Sequence, residues 1–388
     1  MRSRGSLAAA FLGLALCFVV GCSGSGTSEP RFFAEQNPEW LSAWGQLSVR
    51  GDWLELDQAV EPYTLNTPLF TDYALKLRTL WLPAGQTARA QVGAVLELPV
   101  GTVITKTFYY PRGATLDAVL RTDRAPTVHA EQGLDLARFR PLETRLLVHR
   151  STGWVPLSYV WRGDGSDARL RRTGAMIPLT LHTISATVPR AESFDYIVPS
   201  EAECAGCHQP NATAALTQPL GPSPRQLNRD YRFAAGSVNQ LTRLVDRGWL
   251  ASVPDAVPAF TRWDDDSASL EARARAYLDS NCGHCHNSVG PADTSGLHLN
   301  FDNDSAAHLG WCKNAVAAGS GTGGRRFDLV PGDADGSILV YRMASREPAA
   351  MMPELGRSLA HAEGVALIRA WVDATSGACT PTQGFTAR

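Results

Sequence analysis

The pattern Cys-x-x-Cys-His occurs twice, as Cys204-Ala-Gly-Cys207-His208 and as Cys282-Gly-His-Cys285-His286, and it constrains this 388-residue chain more than any other feature. Such a motif can form a zinc knuckle, a thiol redox pair or the attachment site of a covalent haem. The two cysteine pairs together offer the four ligands that zinc needs. A thioredoxin-like pair is expected after a strand, whereas the second motif follows the helix-forming run "ARAYLDSN".

Haem attachment accounts best for the spacing of both motifs. On a helical turn, two cysteines three residues apart face the same side, and the next residue, a histidine, is directed at the iron. We therefore predict two covalent haems c as cofactors. The predicted thioether anchors are Cys204, Cys207, Cys282 and Cys285, and the predicted proximal iron ligands are His208 and His286.

The amino-terminal segment predicts export. Arg2 and Arg4 precede an apolar run that ends at Val20, which is typical of a signal peptide and too short for a stable membrane span. The end of this run, "VVGC", resembles the lipobox of bacterial lipoproteins, which implies a signal peptide at 1–21, a lipid on Cys22 and a polar tether at 22–30. We expect a lipid-anchored protein of a bacterial cell envelope that contacts the membrane through Cys22. An ordinary signal peptide with an incidental cysteine is the alternative.

Two cysteines remain once the signal, Cys22 and the motifs are accounted for. Cys312 and Cys379 can form a disulfide in an oxidising compartment, and two separate free thiols are the alternative.

Residues 31–199 contain short alternating runs separated by Gly and Pro, which predict an antiparallel β-sandwich. The runs on either side of "RSTG" predict a hairpin. His129, His149 and His182 are isolated from one another, so we interpret them as structural histidines. The formal net charge of −2, with both signs interspersed, argues against a nucleic-acid partner.

The pattern changes to helices from Ser200, where Ser200 and Glu203 form a capping-box pattern. After the second motif, "MMPELGR" precedes an amphipathic helix that contains Trp371. This order resembles a class I cytochrome c, in which a methionine between two helices closes the sixth iron position. The resemblance implies Met352 as the distal ligand of the second haem, with Met351 as the alternative.

The first motif lacks a nearby sixth ligand for its iron, because no methionine or further histidine lies between His208 and Cys282. Its sixth ligand must come from elsewhere in the chain, or the position is open for a small ligand or peroxide. The candidates considered are Met176, His182, Met343 and Met351.

Several stretches together, among them "YTLNTPLFTDYALKLRTLWLP", "GTVITKTFYYPR", "PLGPSPRQLNRDY" and the two motifs, resemble a family of predicted bacterial dihaem c-type cytochrome lipoproteins. The expected fold class is α+β with several domains: the β-sandwich at 31–199, then a mainly α-helical, cytochrome c-like haem region with a first haem segment at 200–262 and a second haem domain at 263–388. The expected function is one-electron transfer between unidentified redox proteins, a donor and an acceptor.

Two other functions remain open from the sequence. One is a dihaem peroxidase-like enzyme with an open first haem. The other is a β-sandwich binding module with accessory haems, for which Trp154, Tyr159 and Trp161 are candidate contact residues if they are exposed; burial in the sandwich core is the expected alternative.

Overall fold

The computed structural model describes residues 29–122, 129–183, 190–214, 216–316, 318–380 and 384–386. The predicted signal peptide and the lipid-bearing Cys22 therefore lie outside the described residues. Within the described ranges, no helix is both long and apolar enough to span a membrane.

The chain between residues 47 and 198 consists mainly of β-strands. These strands are β1 (Leu47–Arg50), β2 (Trp53–Leu56), β3 (Glu61–Tyr63), β4 (Leu75–Trp81), β5 (Val103–Pro111), β6 (Ala118–Leu120), β7 (Leu134–Asp135), β8 (Phe139–Arg150), β9 (Gly153–Trp161), β10 (Ala168–Leu170), β11 (Ala175–Thr183) and β12 (Arg190–Val198).

The strands form one large sheet and two small ones. The large sheet has the order β10-β9-β8-β5-β4-β3, and the small sheets are β1-β2-β7 and β12-β11-β6. All pairs are antiparallel except β6 with β11, which is parallel. β8 and β9 form the hairpin predicted around "RSTG", with Arg150 opposite Gly153.

The two faces of the large sheet pack against different partners. On one face, Val103 and Leu146 join a core with Trp44, Leu54 and Leu134, which come from the β1-β2-β7 sheet and its flanking segments. Because side chains alternate along a strand, the neighbouring positions Ile104, Lys106, Phe108 and Tyr110 of β5 face the opposite side.

That opposite face is covered in part by residues from the carboxyl-terminal half of the chain. Phe108 and Tyr110 pack with β11, β12 and Leu359, while Ile104 packs with Leu227 and Leu244. The β-rich half and the motif-bearing half therefore share two apolar cores.

The carboxyl-terminal half contains short helices, two hairpins and long loops. The helices are α1 (Glu201–His208), α2 (Pro224–Leu227), α3 (Gln240–Asp246), α4 (Leu270–Leu278), α5 (Ala306–Leu309), α6 (Ile338–Ala344) and α7 (Ala362–Ala374); the hairpins are β13 (Asp230–Phe233) with β14 (Gly236–Asn239) and β15 (Ala378–Thr380) with β16 (Gly384–Thr386).

The prediction of a mainly α-helical haem region, and with it the predicted fold class, is wrong. The structure is mostly β-strand in several sheets, and its seven helices in the described residues are short. The run "SVNQLTRLVDRGWL", whose pattern predicts one amphipathic helix ended by Gly248, begins in β14 and enters α3 only at Gln240. Gly248 follows the helix as predicted, with a φ of 69° in the left-handed region that favours glycine.

Cys312 and Cys379 form a disulfide, as one of the two sequence alternatives expected. The bond joins the loop after α5 to β15 and so links the carboxyl-terminal hairpin to the rest of this half. The remaining cysteines of the described chain are the four motif cysteines, all in the thiol form.

The helices α4 and α7 cross at a glycine. A Cβ atom added to Gly364 would lie 2.3 Å from the Tyr277 ring, so only a glycine allows this approach. Around the crossing, Leu278, Leu339, Ile368 and Val372 form the core of the carboxyl-terminal half together with α6.

We predict that Gly364→Ala destabilises the protein by about 1–3 kcal/mol, because the added methyl group overpacks the α4–α7 contact. The loss should appear although alanine is the better helix former by about 1 kcal/mol. Chemical denaturation measures the effect, with Ala366→Ser on the exposed side of α7 as the control. A variant at least as stable as the parent would contradict this packing.

Candidate functional site

The first motif lies on a helix that begins at a capping box. The Ser200 side chain accepts a hydrogen bond from the Glu203 backbone N–H, and the Glu203 carboxylate accepts one from the Ser200 backbone N–H. The predicted helix start is therefore confirmed. The helix α1 lies against β9, where Cys204 is buried and hydrogen-bonded with Ser158.

The second motif follows α4 directly. The Ser269 hydroxyl caps α4, and residues Asp279–Gly283 continue it as one π-helical turn. The buried Asn281 donates to the Tyr277 carbonyl and accepts from the backbone N–H of Phe70. Asn281 thus ties the second motif to a loop of the β-rich half.

Both motif histidines are held through Nδ1, which leaves Nε2 with its lone pair. His208 Nδ1 lies 2.8 Å from the Gln218 carbonyl oxygen, which can only accept, so Nδ1 carries the proton. His286 Nδ1 lies 3.1 Å from Ser295 Oγ, whose hydrogen is donated to the Ala292 carbonyl. A metal-binding histidine usually donates a hydrogen bond from its other ring nitrogen to an oxygen acceptor such as a backbone carbonyl.

Each motif opens into a cavity. The first encloses about 1100 Å³ between atoms, including the part open to solvent, and the second about 1390 Å³. Cys204, Cys207 and His208 line the first, and Cys282, Cys285 and His286 line the second. The two cavities share wall residues, namely Cys207, Asn281, Cys282, His284, Met343, Met352, Pro353 and Leu355.

The two motifs meet at Cys207 and Cys285. The Cys285 thiol lies 3.5 Å from the Gly206 carbonyl oxygen, and ligand atoms of Cys207, His284 and Cys285 all lie within 4.8 Å of one another. In the thiol form, the hydrogen bond between the two sulfurs lowers the pKa of Cys207 and raises the pKa of Cys285. This three-residue cluster was missed in the sequence, because its members come from two distant motifs.

The segment "MMPELGR" at residues 351–357, the methionine loop, places Met352 and Met351 differently. Met352 lines both cavities, whereas Met351 is buried and lines neither. The buried Arg357 shapes this loop by donating hydrogen bonds to the carbonyls of Met352, Arg342 and Ser345. Met352 is therefore the methionine of this pair with access to a ligand in either cavity.

The sequence offered four candidates for the sixth iron ligand at the first motif. Of these four, only Met343 lines the first cavity. Met176 on β11 is 65% exposed, and neither it, His182 nor Met351 belongs to the cavity wall. Two residues that the sequence analysis missed, Lys106 and His361, do line it. Nothing in the local sequence marks them, because β5 and the start of α7 reach this cavity only in the folded chain.

The three aromatic residues that are candidates for a binding surface do not form an exposed face. Tyr159 and Trp161 are buried in the sheet core, and Trp154 stacks on His149 with ring centroids 4.4 Å apart. His149 also hydrogen-bonds to the Leu98 carbonyl, so its role is structural, as interpreted from the sequence.

A buried aspartate joins the methionine loop to the β-rich half. Asp72 Oδ1 accepts hydrogen bonds from the backbone N–H groups of Ser358 and Leu359. Burial raises the pKa of Asp72 to about 6, although those two bonds and the cations Arg357 and Lys76 act in the opposite direction.

No family model matches the chain, and neither a curated protein nor a solved structure matches it significantly.

We predict that Asp72→Asn stabilises the protein at pH 7 by about 3 kcal/mol, since about 2 pKa units separate the folded and unfolded carboxyl. The asparagine keeps the acceptor atom but removes the buried charge. Between pH 3.8 and about 6 the folded state holds a proton that the unfolded chain has released, so the parent gains stability as pH falls. The advantage of the variant should shrink over that window.

Denaturation midpoints at pH 7, 6 and 5 measure this difference. Asp264→Asn is the control, because Asp264 is exposed and pairs with Arg262 at the surface. The same pH dependence in the parent and in Asp72→Asn would show that the Asp72 carboxyl does not carry the effect.

Proposed function

We propose that the protein is an exported dihaem c-type cytochrome that passes single electrons between redox proteins through two covalently attached haems. The observation that carries this proposal is the meeting of the two motifs: Cys207 and Cys285 lie within 4.8 Å, and their cavities share walls. Two cofactors anchored on these cysteines would have neighbouring edges, which an electron relay requires.

The donor set fits haem c in both cavities. Each offers a cysteine pair, a histidine with Nε2 available, and walls that are more apolar than polar. Bound haem would supply an iron that cycles between Fe(III) and Fe(II). The chain's own residues then have defined tasks: Gln218 and Ser295 orient the proximal histidines, and Leu297 and Leu299 help to exclude water from the second cavity.

Export and anchoring through Cys22 belong to the same proposal. A disulfide between Cys312 and Cys379 is typical of proteins in oxidising compartments, where haem c is also attached. The partners would be a donor and an acceptor protein outside the cytoplasm.

A second candidate function rests on the cluster of Cys207, His284 and Cys285. Thiolate and imidazole are the ligands that zinc prefers, and the three ligand atoms are close enough to bind one ion. The two functions exclude each other, because each claims the same two sulfurs.

Extraction separates the two candidates. Denatured protein from a host that attaches haem c should keep two haems per chain after acid–acetone treatment, measured by pyridine haemochrome absorbance. Removing either motif, by Cys204→Ala with Cys207→Ala or by Cys282→Ala with Cys285→Ala, should leave one haem.

His284→Ala is the matched control, since it removes a cluster ligand but no haem anchor. The proposal expects two haems in this variant. Stoichiometric zinc in the parent, lost in His284→Ala and accompanied by no covalent haem, would replace the cytochrome with the zinc site.

We predict that Met352→Ala lowers the reduction potential of the second haem and changes its low-spin spectrum, because a thioether ligand stabilises the ferrous state. Met351→Ala, which removes a methionine outside both cavities, should leave the potential unchanged. Spectroelectrochemical titration measures both variants. An effect in Met351→Ala alone would transfer the ligand role to that residue.

A further inference from the structure

One face of the large sheet carries a row of cations, two of which line the first cavity. On this motif-facing side, Lys106 of β5 lies directly opposite Arg78 of β4 and Arg145 of β8. Like charges at directly opposed positions destabilise a sheet unless another group compensates them. Such a row is therefore unexpected for a sheet whose only task is to form a core.

Arg145 forms an ion pair with Glu143, whereas Lys106 forms none with the described residues. The Arg145 guanidinium forms two hydrogen bonds with the buried Glu143 carboxylate, at 2.8 and 2.6 Å. The Lys106 ammonium has a cation–π contact, 5.1 Å from the Phe108 ring centroid, but no hydrogen bond or ion pair with any described residue. Its amine is thus available to a group inside the cavity.

Lys106 lies beside the first motif. It lines the first cavity together with Cys207 and His208 and does not line the second. Arg145 of the same row and Cys204 of the first motif line this cavity as well. The sheet and the first motif therefore face each other across it.

The other ligating side chains of this cavity include His284, which belongs to the cluster with Cys207 and Cys285. His361 stacks on Phe70 with ring centroids 4.3 Å apart, its Nδ1 lies 3.0 Å from the Tyr277 hydroxyl, and its Nε2 faces Glu363. Met343 and Met352 line both cavities, and Met343 packs in the core of α4, α6 and α7.

We infer that the Lys106 amine of β5 would serve, besides His208, as the second protein ligand to the iron of a haem held in the first cavity. This inference rests on the proposed function and adds to it a ligand from the β-rich half. It also gives the β-rich half a direct part in the redox site, since a sheet residue completes the coordination of a haem attached on α1.

Two variants separate ligation from charge. Lys106→Ala removes the amine and the charge, whereas Lys106→Arg keeps a cation in place but offers no ligating amine. Lys76→Ala is the matched control, because Lys76 lies on the same face of β4 but does not line the cavity. EPR and near-infrared magnetic circular dichroism of the ferric proteins report the spin state and the axial ligands of each haem.

The parent and Lys76→Ala should show two low-spin haems. Both Lys106 variants should convert one of the two, half of the iron, to a high-spin state or to a low-spin state with a shifted near-infrared band. Added imidazole should restore low spin where the position is open.

Unchanged first-haem spectra in Lys106→Ala and Lys106→Arg would overturn the assignment, and so would a change in the alanine variant alone, which would mark a charge effect. A parent whose first haem is already high-spin would also overturn it. Haem counts after extraction keep the outcomes distinguishable. Two covalent haems with unchanged spectra in the variants reject only the role of Lys106 as a ligand. The absence of covalent haem rejects the proposed function as well.

Discussion

The contact between the two Cys-x-x-Cys-His motifs is the constraint on which the rest of the arrangement depends. Cys207 lies on α1 and Cys285 follows the π-helical turn after α4, far away in the chain, yet their ligand atoms approach within 4.8 Å. This approach requires α1 to lie on the large sheet and the second motif to be tied to the same half, as Asn281 does through Phe70. The shared cavity walls follow from that placement.

The large sheet has a different task on each of its faces. One face forms an ordinary apolar core with the β1-β2-β7 sheet. The other face packs with Leu359 in one apolar core and with Leu227 and Leu244 in a second. Between these two cores it forms a wall of the first cavity. In the proposed function the β-rich half is therefore part of the redox site and not a separate module.

The methionine loop is held by polar contacts that the motif itself does not indicate. Arg357 donates to the Met352 carbonyl within the loop and to the carbonyls of Arg342 and Ser345 at the end of α6. Asp72 accepts two N–H groups just beyond the loop. Because these contacts hold the loop, Met352 stays at the boundary of the two cavities. The number of residues between Met352 and the second motif could not predict this position.

Local sequence patterns predicted those features that depend on neighbouring residues. The capping box of Ser200 and Glu203 and the hairpin at Arg150 and Gly153 were predicted correctly, because short-range hydrogen bonds determine them. The helical content was overestimated, because apolar periodicity did not show that the residues just before Gln240 form strand β14. Lys106 and the Cys207–His284–Cys285 cluster could not be predicted, because their partners are brought together only by the packing of α1 on the sheet.

The most direct test of the central claim, two adjacent haems in one relay, is a redox titration of the mature protein followed by EPR. Two adjacent haems should give two ferric signals that disappear in one-electron steps, with the signal of one haem altered when its neighbour becomes diamagnetic on reduction. The absence of haem signals, or two signals that titrate with no influence on each other, would contradict the claim.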